Sequence, residues 1–429
     1  VASADTIFAL GTPPGVGAIA VVRISGPRAH HAVGALTSAP VSADRTMRLR
    51  TLRDPESGEI LDRGLAVAFP QASSPTGEPY AELHVHGGVA APAAVLRALT
   101  ALPGLRLAEP GAFARRALQN ERLDLTQVEG VADLVAAQTE AQRRQAVRLV
   151  EGTLSARVET WRRTLTHAQA LLEASMDFAD EDLPDALVPD ALADVEALAA
   201  GIAKALRGAA AGDLVRDGLE IAIVGPPNAG KSSLVNLLGG RDIALTSPYP
   251  GTTRDVIELR CSVGAHLVIF LDTAGIRATT DPVERAGVAL AQRRAAAADL
   301  RIVVWAPDCA QDPAPGPDDI LVWNKCDVAP GPGINISALQ GEGVERLLAE
   351  VARRLRVMTA EADVVVRARH HKVLREALTC LERAVAHRDA LELCAEDVRL
   401  AARALDQLIG RIDCEAVLGE IFSQLCIGK

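Results

Sequence analysis

Residues 225–232 read Gly225-Pro226-Pro227-Asn228-Ala229-Gly230-Lys231-Ser232. The run satisfies G-x-x-x-x-G-K-[ST]. It follows the apolar run Ile221 to Val224 and precedes an apolar helix expected to begin near Ser233. In that strand–loop–helix setting, backbone N–H groups curl around phosphate oxygens and a helix dipole favours the anion. Gly225 and Gly230 permit the curl. Lys231 is expected at the β and γ phosphates, and the Ser232 hydroxyl on Mg²⁺. The plain alternative is a chance glycine-rich turn, so the neighbouring sequence has to decide.

Downstream, Gly251-Thr252-Thr253-Arg254-Asp255 lies in a loop after Pro248 and Pro250. A threonine there can close over Mg²⁺ when the γ phosphate is present. Asp272-Thr273-Ala274-Gly275 ends the apolar run from Val268. An acid at a strand end holds the Mg²⁺ shell, and a mobile glycine senses the γ phosphate. Asn324-Lys325-Cys326-Asp327 follows the run Ile320 to Trp323. Asp327 can accept from the N1–H and N2–H₂ donors of guanine, which adenine lacks. Ser337-Ala338 fits the small loop that supports the base. Motifs in this order predict a guanine-nucleotide site built from Asn228, Ala229, Gly230, Lys231, Ser232 and Ser233 with these later segments. Ile276 stands where Ras-like GTPases carry a water-positioning glutamine, so another group must act there. Asn228 either offers an oxygen to a monovalent cation near the β–γ bridge or only braces the loop.

The chain has 429 residues, more than one core holds, and roughly 100–200 residues per domain gives about two to four domains. Apolar residues make up 49% and charged residues 23%, which supports buried cores and argues against disorder. A net charge of −10 argues against a surface that wraps nucleic acid throughout, though not against a local basic patch. The seven cysteines contain no C-x-x-C pair and fit a reducing cytosol. No signal peptide is expected at Val1 to Leu10, and no apolar run reaches the ~18 residues that span a membrane. A cytoplasmic protein with no membrane partner follows.

Residues 1–119 mix short apolar runs with turns. Ile19 to Ile24, Leu65 to Phe69, and the alternation of Glu82, His84 and His86 with Leu83 and Val85 read as strands of a small α+β domain. His84 and His86 read as structural or pocket-lining residues rather than a metal pair. Helical rhythm follows in Trp161, Leu165, Ala168 and Leu172, and returns in Val398, Ala401, Leu405, Leu408 and Ile412. Arg143-Arg144 and Arg162-Arg163 read as solvated helix faces. Between the helical stretches, β–loop–α alternation predicts a mostly parallel sheet. The expected fold is multidomain: an N-terminal α+β domain (1–119), a discontinuous helical domain (120–214 and 358–429), and an inserted Ras-like P-loop domain (215–357). Pro307 to Pro317 and the short run 328–336 suggest a trimmed peripheral helix or loop.

The whole chain resembles the MnmE (TrmE) family of tRNA-modification GTPases. The resemblance runs from Asp5-Thr6-Ile7 and Thr12-Pro13-Pro14-Gly15 to Cys426-Ile427-Gly428-Lys429, and includes Pro110-Gly111-Ala112-Phe113, Leu123-Asp124-Leu125 and Asp177-Phe178. It implies a folate-binding, dimerising N-terminal domain whose motif positions are Arg23, Glu82 and Arg122, with Lys429 nearby. The family usually has lysine where Arg122 stands, and a forked guanidinium is not a point ammonium. It implies Asn228, Ser247, Tyr249 and Thr252 as K⁺ ligands, and Ser232 and Thr253 as Mg²⁺ ligands. It also implies Glu284 as the acid that orients the attacking water, beside Asp272. Cys426 would be a nucleophile, a folate-site residue or a helix-end thiol. The implied function is K⁺-activated hydrolysis of GTP coupled to modification of C5 of the wobble uridine in certain tRNAs. The implied partners are a second copy of the chain (a homodimer) and FAD-dependent MnmG, together a heterotetramer. The implied carbon source is a tetrahydrofolate derivative, 5,10-methylene- or 5-formyl-tetrahydrofolate.

Two other readings use the same motor. A ribosome-assembly GTPase leaves the N-terminal domain and the Cys426-Ile-Gly-Lys429 end unexplained. A non-catalytic switch predicts slow hydrolysis, insensitive to K⁺ and to Glu284→Ala.

Overall fold

Alternation decides the first sheet. The computed structural model describes residues 5–178, 184, 186–245, 258–272, 293–309 and 315–412. Its first strands and helices are β1 (Thr6–Leu10), β2 (Ile19–Ser25), α1 (Ala29–Thr37), β3 (Arg48–Arg53), β4 (Ile60–Phe69), β5 (Tyr80–His86), α2 (Ala90–Ala101), β6 (Leu105–Leu107) and α3 (Ala112–Gln119). The strands form one sheet in the order β3-β4-β5-β2-β1-β6. In β5, Ala81, Leu83 and Val85 are buried, while Glu82, His84 and His86 turn to the other side, as a period of two requires. Ala81, Leu83 and Val85 join Val22, Ile24, Val33 and Leu99 in a core shared with α1 and α2. β2 pairs antiparallel with β5 in a register that sets Arg23 opposite Glu82.

A buried polar network ties α3 to this sheet. Arg116 donates to Glu78 Oε2 at 2.8 Å, to the Ser25 carbonyl at 2.9 Å and to Asp5 Oδ1 at 2.8 Å. Ser25 Oγ donates to the same Glu78 oxygen at 3.1 Å. Arg116 and Glu78 are each 5% exposed, so their charges depend on this pairing.

The helices that follow are α4 (Leu125–Ala136), α5 (Glu140–Val150), α6 (Thr153–Asp177) and α7 (Leu187–Asp217). Ahead of α5, Thr139 and Gln142 form a capping box: Gln142 Oε1 accepts from Thr139 N at 3.1 Å, and Thr139 Oγ1 accepts from Gln142 N at 3.4 Å. Leu165, Ala168 and Leu172 are fully buried on α6, as their spacing predicts. Pro189 sits in the first turn of α7, where its missing N–H has no intrahelical partner to lose.

The second sheet comprises β7 (Leu219–Val224), then, after α8 (Lys231–Gly239), β8 (Glu258–Val263), β9 (His266–Asp272), β10 (Leu300–Trp305), β11 (Ile320–Trp323) and β12 (Ile334–Asn335). Its order is β12-β11-β10-β7-β9-β8, parallel except for the antiparallel edge pair β8–β9. The inner strands are near-continuous apolar runs because both faces are covered. Phe270 is completely buried, and such a side chain contributes roughly 1.5–3 kcal/mol. Residues 293–297 are helical ahead of β10, and the later helices are α9 (Val344–Met358), α10 (Ala368–Ala386) and α11 (Leu391–Ile409). Thr359 Oγ1 and His266 Nε2 lie 3.2 Å apart, and Ala141 N donates to the Ala265 carbonyl at 2.9 Å. These two bonds hold the β8–β9 turn.

Two helix limits differ from the sequence expectation. α8 begins at Lys231, ahead of Ser233, because Gly230 takes φ +90° and starts the helix at once. α11 ends at Ile409, so Ile412 is not a helical position; Gly410 takes φ +79° and stops the helix there.

By contacts the chain divides into two units. One holds Val1–Ala132, Val150–Thr160 and Ala402–Lys429, and the other holds Asp133–Leu149 and Trp161–Ala401. Among the described residues, no helix is long and apolar enough to cross a membrane.

Candidate nucleotide-binding site

Parallel strands deliver the motif residues to one edge. β7 ends at Val224, β9 at Asp272 and β11 at Trp323, so these residues lie at the carboxyl-end edge of one parallel set of strands. Ligands of open α/β sheets bind at that edge, where the strand order reverses. Here the reversal lies at β7, between β10 and β9.

The phosphate loop turns through backbone conformations that fix its residues. Gly225 has φ +145°, Asn228 +66° and Gly230 +90°. A Cβ on Gly225 would sit 2.1 Å from the Val304 carbonyl oxygen, and one on Gly230 would sit 2.1 Å from Asn324 Nδ2. Both positions therefore require glycine. Asn228 is exposed on the loop, Ala229 is buried beneath it, and Ser232 and Ser233 are exposed on the first turn of α8. Lys231 Nζ donates to the carbonyls of Gly225 and Pro226 at 2.9 Å each. Burial lowers the lysine's pKa, and the Asp272 carboxylate opposes that shift. Asp272 is 2% exposed at the end of β9.

Asn324 joins three loops. Its Nδ2 donates to the Ala229 carbonyl at 2.9 Å, and its Oδ1 accepts from Ala338 N at 2.9 Å. Its backbone N–H donates to the Trp305 carbonyl at 2.7 Å. The phosphate loop, the strand end at β10 and the Ser337-Ala338 loop are thus held by one buried side chain and its backbone. Ser337 is fully buried and its Oγ accepts from Gln340 N at 3.2 Å. Asp327 is exposed. The short run after it folds onto Trp323, whose Nε1 donates to the Ala329 carbonyl at 2.9 Å.

The structure thus brings together Asn228, Ala229, Gly230, Lys231, Ser232, Ser233, Asp272, Asn324, Lys325, Asp327, Ser337 and Ala338. Ser247, Tyr249, Thr252, Thr253, Thr273, Ala274, Gly275 and Glu284 lie outside the described residues. So do Cys426 and Lys429.

A separate polar cluster lies on the first sheet. Arg23 Nε is 3.5 Å from Glu82 Oε1, which also accepts from Tyr80 OH at 3.1 Å. His84 Nε2 lies 3.1 Å from Glu82 Oε2. Burial pushes the Tyr80 hydroxyl well above the usual phenol range. Arg122 does not join this cluster: it donates to the Gln71 carbonyl at 3.0 Å and to that of Ala72. His86 Nδ1 lies 2.7 Å from Asp62 Oδ1, so each histidine of the strand pair faces a carboxylate. Arg143 and Arg144 both bind Glu140, and the Arg143 hydrogen bond leads in holding that carboxyl down at about 2.

Sequence reasoning passed over Asp308. Its carboxylate oxygens lie 2.6 and 2.9 Å from Lys325 Nζ. No motif contains it. The available signal was topological: β10 and β11 are parallel neighbours, so the residues past β10 flank the loop past β11.

The profile of the "GTP-binding protein TrmE N-terminus" matches residues 6–122, and that of the "MnmE helical domain" matches residues 125–426. A "tRNA modification GTPase MnmE" of Parvibaculum lavamentivorans is 49% identical, covering 99% of this chain and 100% of its own length. The chain belongs to the MnmE family. MnmE proteins of Azorhizobium caulinodans (48% identical, 100% of this chain, 99% of theirs) and Cereibacter sphaeroides (47%, 99% and 100%) match as completely. The MnmE helical match begins before β7 and ends beyond α11, so it brackets the nucleotide sheet. The fold is therefore an N-terminal α+β domain, a discontinuous helical domain and an inserted P-loop GTPase domain. The MnmE relatives extend along the whole chain, so their likeness covers the Arg23–Glu82 cluster as well as the phosphate loop.

Proposed function

We propose that the chain is a K⁺-activated GTPase that modifies C5 of the wobble uridine (position 34) of certain tRNAs. It works as a cytoplasmic homodimer with an FAD-dependent, MnmG-type partner, and draws its carbon from a tetrahydrofolate derivative. The observation that carries this reading is the Asn324 clamp. It locks a Lys231-bearing phosphate loop to a loop ending in Asp327, on a chain that matches MnmE from end to end. The proposed domains are 1–119, 120–214, 215–357 and 358–429.

The chain's own groups fit the chemistry asked of them. Backbone N–H groups of 228–232 and Lys231 gather the phosphates. The exposed Ser232 hydroxyl and the Asp272 carboxylate are hard oxygen donors suited to Mg²⁺. Asn228 offers an amide oxygen on an exposed loop with φ +66°, which suits K⁺, with Ser247, Tyr249 and Thr252 as further ligands and Thr253 on Mg²⁺. Bound cations supply positive charge where the β–γ bridging oxygen becomes negative. Glu284 orients water for attack on the γ phosphorus, and the bond to the bridging oxygen breaks. Gly275 senses the γ phosphate, and Thr273 and Ala274 belong to the same nucleotide-binding segment. Asp327 reads guanine. At the folate site, Glu82 offers an acceptor and Arg23 a cation, with Arg122 and Lys429 at the margin. Bound folate supplies a one-carbon unit. Cys426 is a nucleophile or a folate-site residue.

The test is reconstitution. The protein, an FAD-loaded MnmG-type partner, GTP, MgCl₂, KCl, isotopically labelled methylene-tetrahydrofolate, tRNA and, in parallel reactions, ammonium or glycine are combined, and the wobble nucleoside is read by mass spectrometry. Label at C5 of uridine 34 is expected. Normal GTP turnover without labelled nucleoside refutes the tRNA reading and favours the ribosome-assembly reading, whereas slow, K⁺-insensitive turnover without label favours the switch.

A further inference from the structure

We infer that Asp308 is a positioning residue for guanine-nucleotide recognition: it orients Lys325 in advance of the nucleotide. The inference rests on the guanine-site reading above. Lys325 takes φ +58°, a left-handed conformation that a lysine adopts only when its surroundings impose it. The backbone around it is fixed: its carbonyl accepts from Val328 N at 2.9 Å, and Cys326 N donates to the Ile336 carbonyl at 3.0 Å. The side chain still has four torsions to order. Asp308 orders them, through both carboxylate oxygens, at 2.6 and 2.9 Å from Nζ.

A purely structural role explains this pair poorly. The two side chains are 34% and 55% exposed, and ion pairs in water add little to stability. The lysine's hydrogen bond is the leading cause of the lowered Asp308 pKa, so the contact is charge-assisted although solvated. Its setting is functional instead. The chain just before Asp308 backs both halves of the site: the Val304 carbonyl abuts Gly225 of the phosphate loop, and the Trp305 carbonyl receives Asn324 N. Asp308 extends that support to the lysine between Asn324 and Asp327. A lysine already ordered need not be ordered by the ligand, which strengthens binding without changing the chemical step.

The test uses the full chain, with dissociation of a fluorescent GDP analogue and steady-state GTP turnover. Asp308→Asn should speed dissociation and raise KM by about ten-fold, with kcat at saturation within about two-fold of wild type. Asp308→Glu should recover most of the affinity. The unfolding midpoint should not move, which separates positioning from structural support. KM and dissociation within about two-fold of wild type in Asp308→Asn would overturn the inference. If Asp308→Asn fails to fold, Asp308→Ser carries the same two readouts, and equal affinity there overturns it equally. Wild-type protein that binds no guanine nucleotide refutes the underlying site reading instead.

Discussion

Replacing Asn324 by alanine removes the clamp that joins the phosphate loop to the Ser337-Ala338 loop. The side chain is 2% exposed and makes two hydrogen bonds of 2.9 Å. Their partners, the Ala229 carbonyl and Ala338 N, belong to residues 0% and 9% exposed, so water cannot readily replace the amide. Losing each bond strands a buried partner at a cost of about 1–3 kcal/mol, and about 1.5 kcal/mol for each of the two gives about 3 kcal/mol in all. With a urea slope of about 2 kcal/mol/M, the midpoint should fall by about 1.5 M. Trp305 and Trp323 end the two strands beside the clamp, so tryptophan fluorescence in a Trp161→Phe background reports this sheet. Asn324→Asp keeps the acceptor for Ala338 N but sets a carboxylate against the Ala229 carbonyl. It should lose at least as much stability at neutral pH and recover part of it in acid. A midpoint for Asn324→Ala within about 0.3 M of the parent would refute the reasoning, because about 0.6 kcal/mol is less than one bond.

Three further outcomes are expected. Gly230→Ala should fold but lose nucleotide binding in equilibrium dialysis, since its Cβ would sit 2.1 Å from Asn324 Nδ2 and push the loop off the clamp. Glu78→Gln should destabilise the first unit by about 1–3 kcal/mol, because it removes the buried one of the two carboxylates on the Arg116 guanidinium and leaves the pairing to the more exposed Asp5. Glu78→Gln with Arg116→Met should be less damaging than Glu78→Gln alone in parallel denaturation curves. Glu350 is bound by Arg353, and less strongly by Arg354, which hold its carboxyl at about 2 against an ordinary 4.5. Because the folded value is depressed, its contribution is complete above about 4.5 and is lost as pH falls through about 2. Carbon-13 titration of that carboxyl should find the low value, and Glu350→Gln should flatten this part of the acid-unfolding curve.

Much of the fold is legible because it rests on local pattern. Ile320–Trp323 is a strand at the residues where an unbroken apolar run begins and ends, and Leu219–Val224 breaks such a run only at Glu220, since a parallel strand buried on both faces shows little alternation. β5 is legible for the opposite reason: one face is core and the other polar. Ile412 misled because spacing continues past Gly410 while the backbone does not. The expected nucleotide residues rest on the fixed residue types that phosphate and guanine demand. Asp308 was not legible, since its role depends on which strand lies beside which. The Arg116–Glu78 pair was not, since charged residues read as surface until a fold buries them. The carbonyl contacts of Arg122 were not, because a motif position does not say which groups a guanidinium will meet.

The central claim is cation-driven hydrolysis of GTP, and turnover in matched KCl and NaCl buffers tests it most directly. Under the proposed mechanism a cation at the β–γ bridge would take the place of an arginine finger, an effect worth roughly 10³–10⁵ in rate. K⁺ should therefore raise kcat by far more than ten-fold over Na⁺, and Asn228→Ala should abolish the difference, if the account holds. Equal rates in the two salts would contradict it.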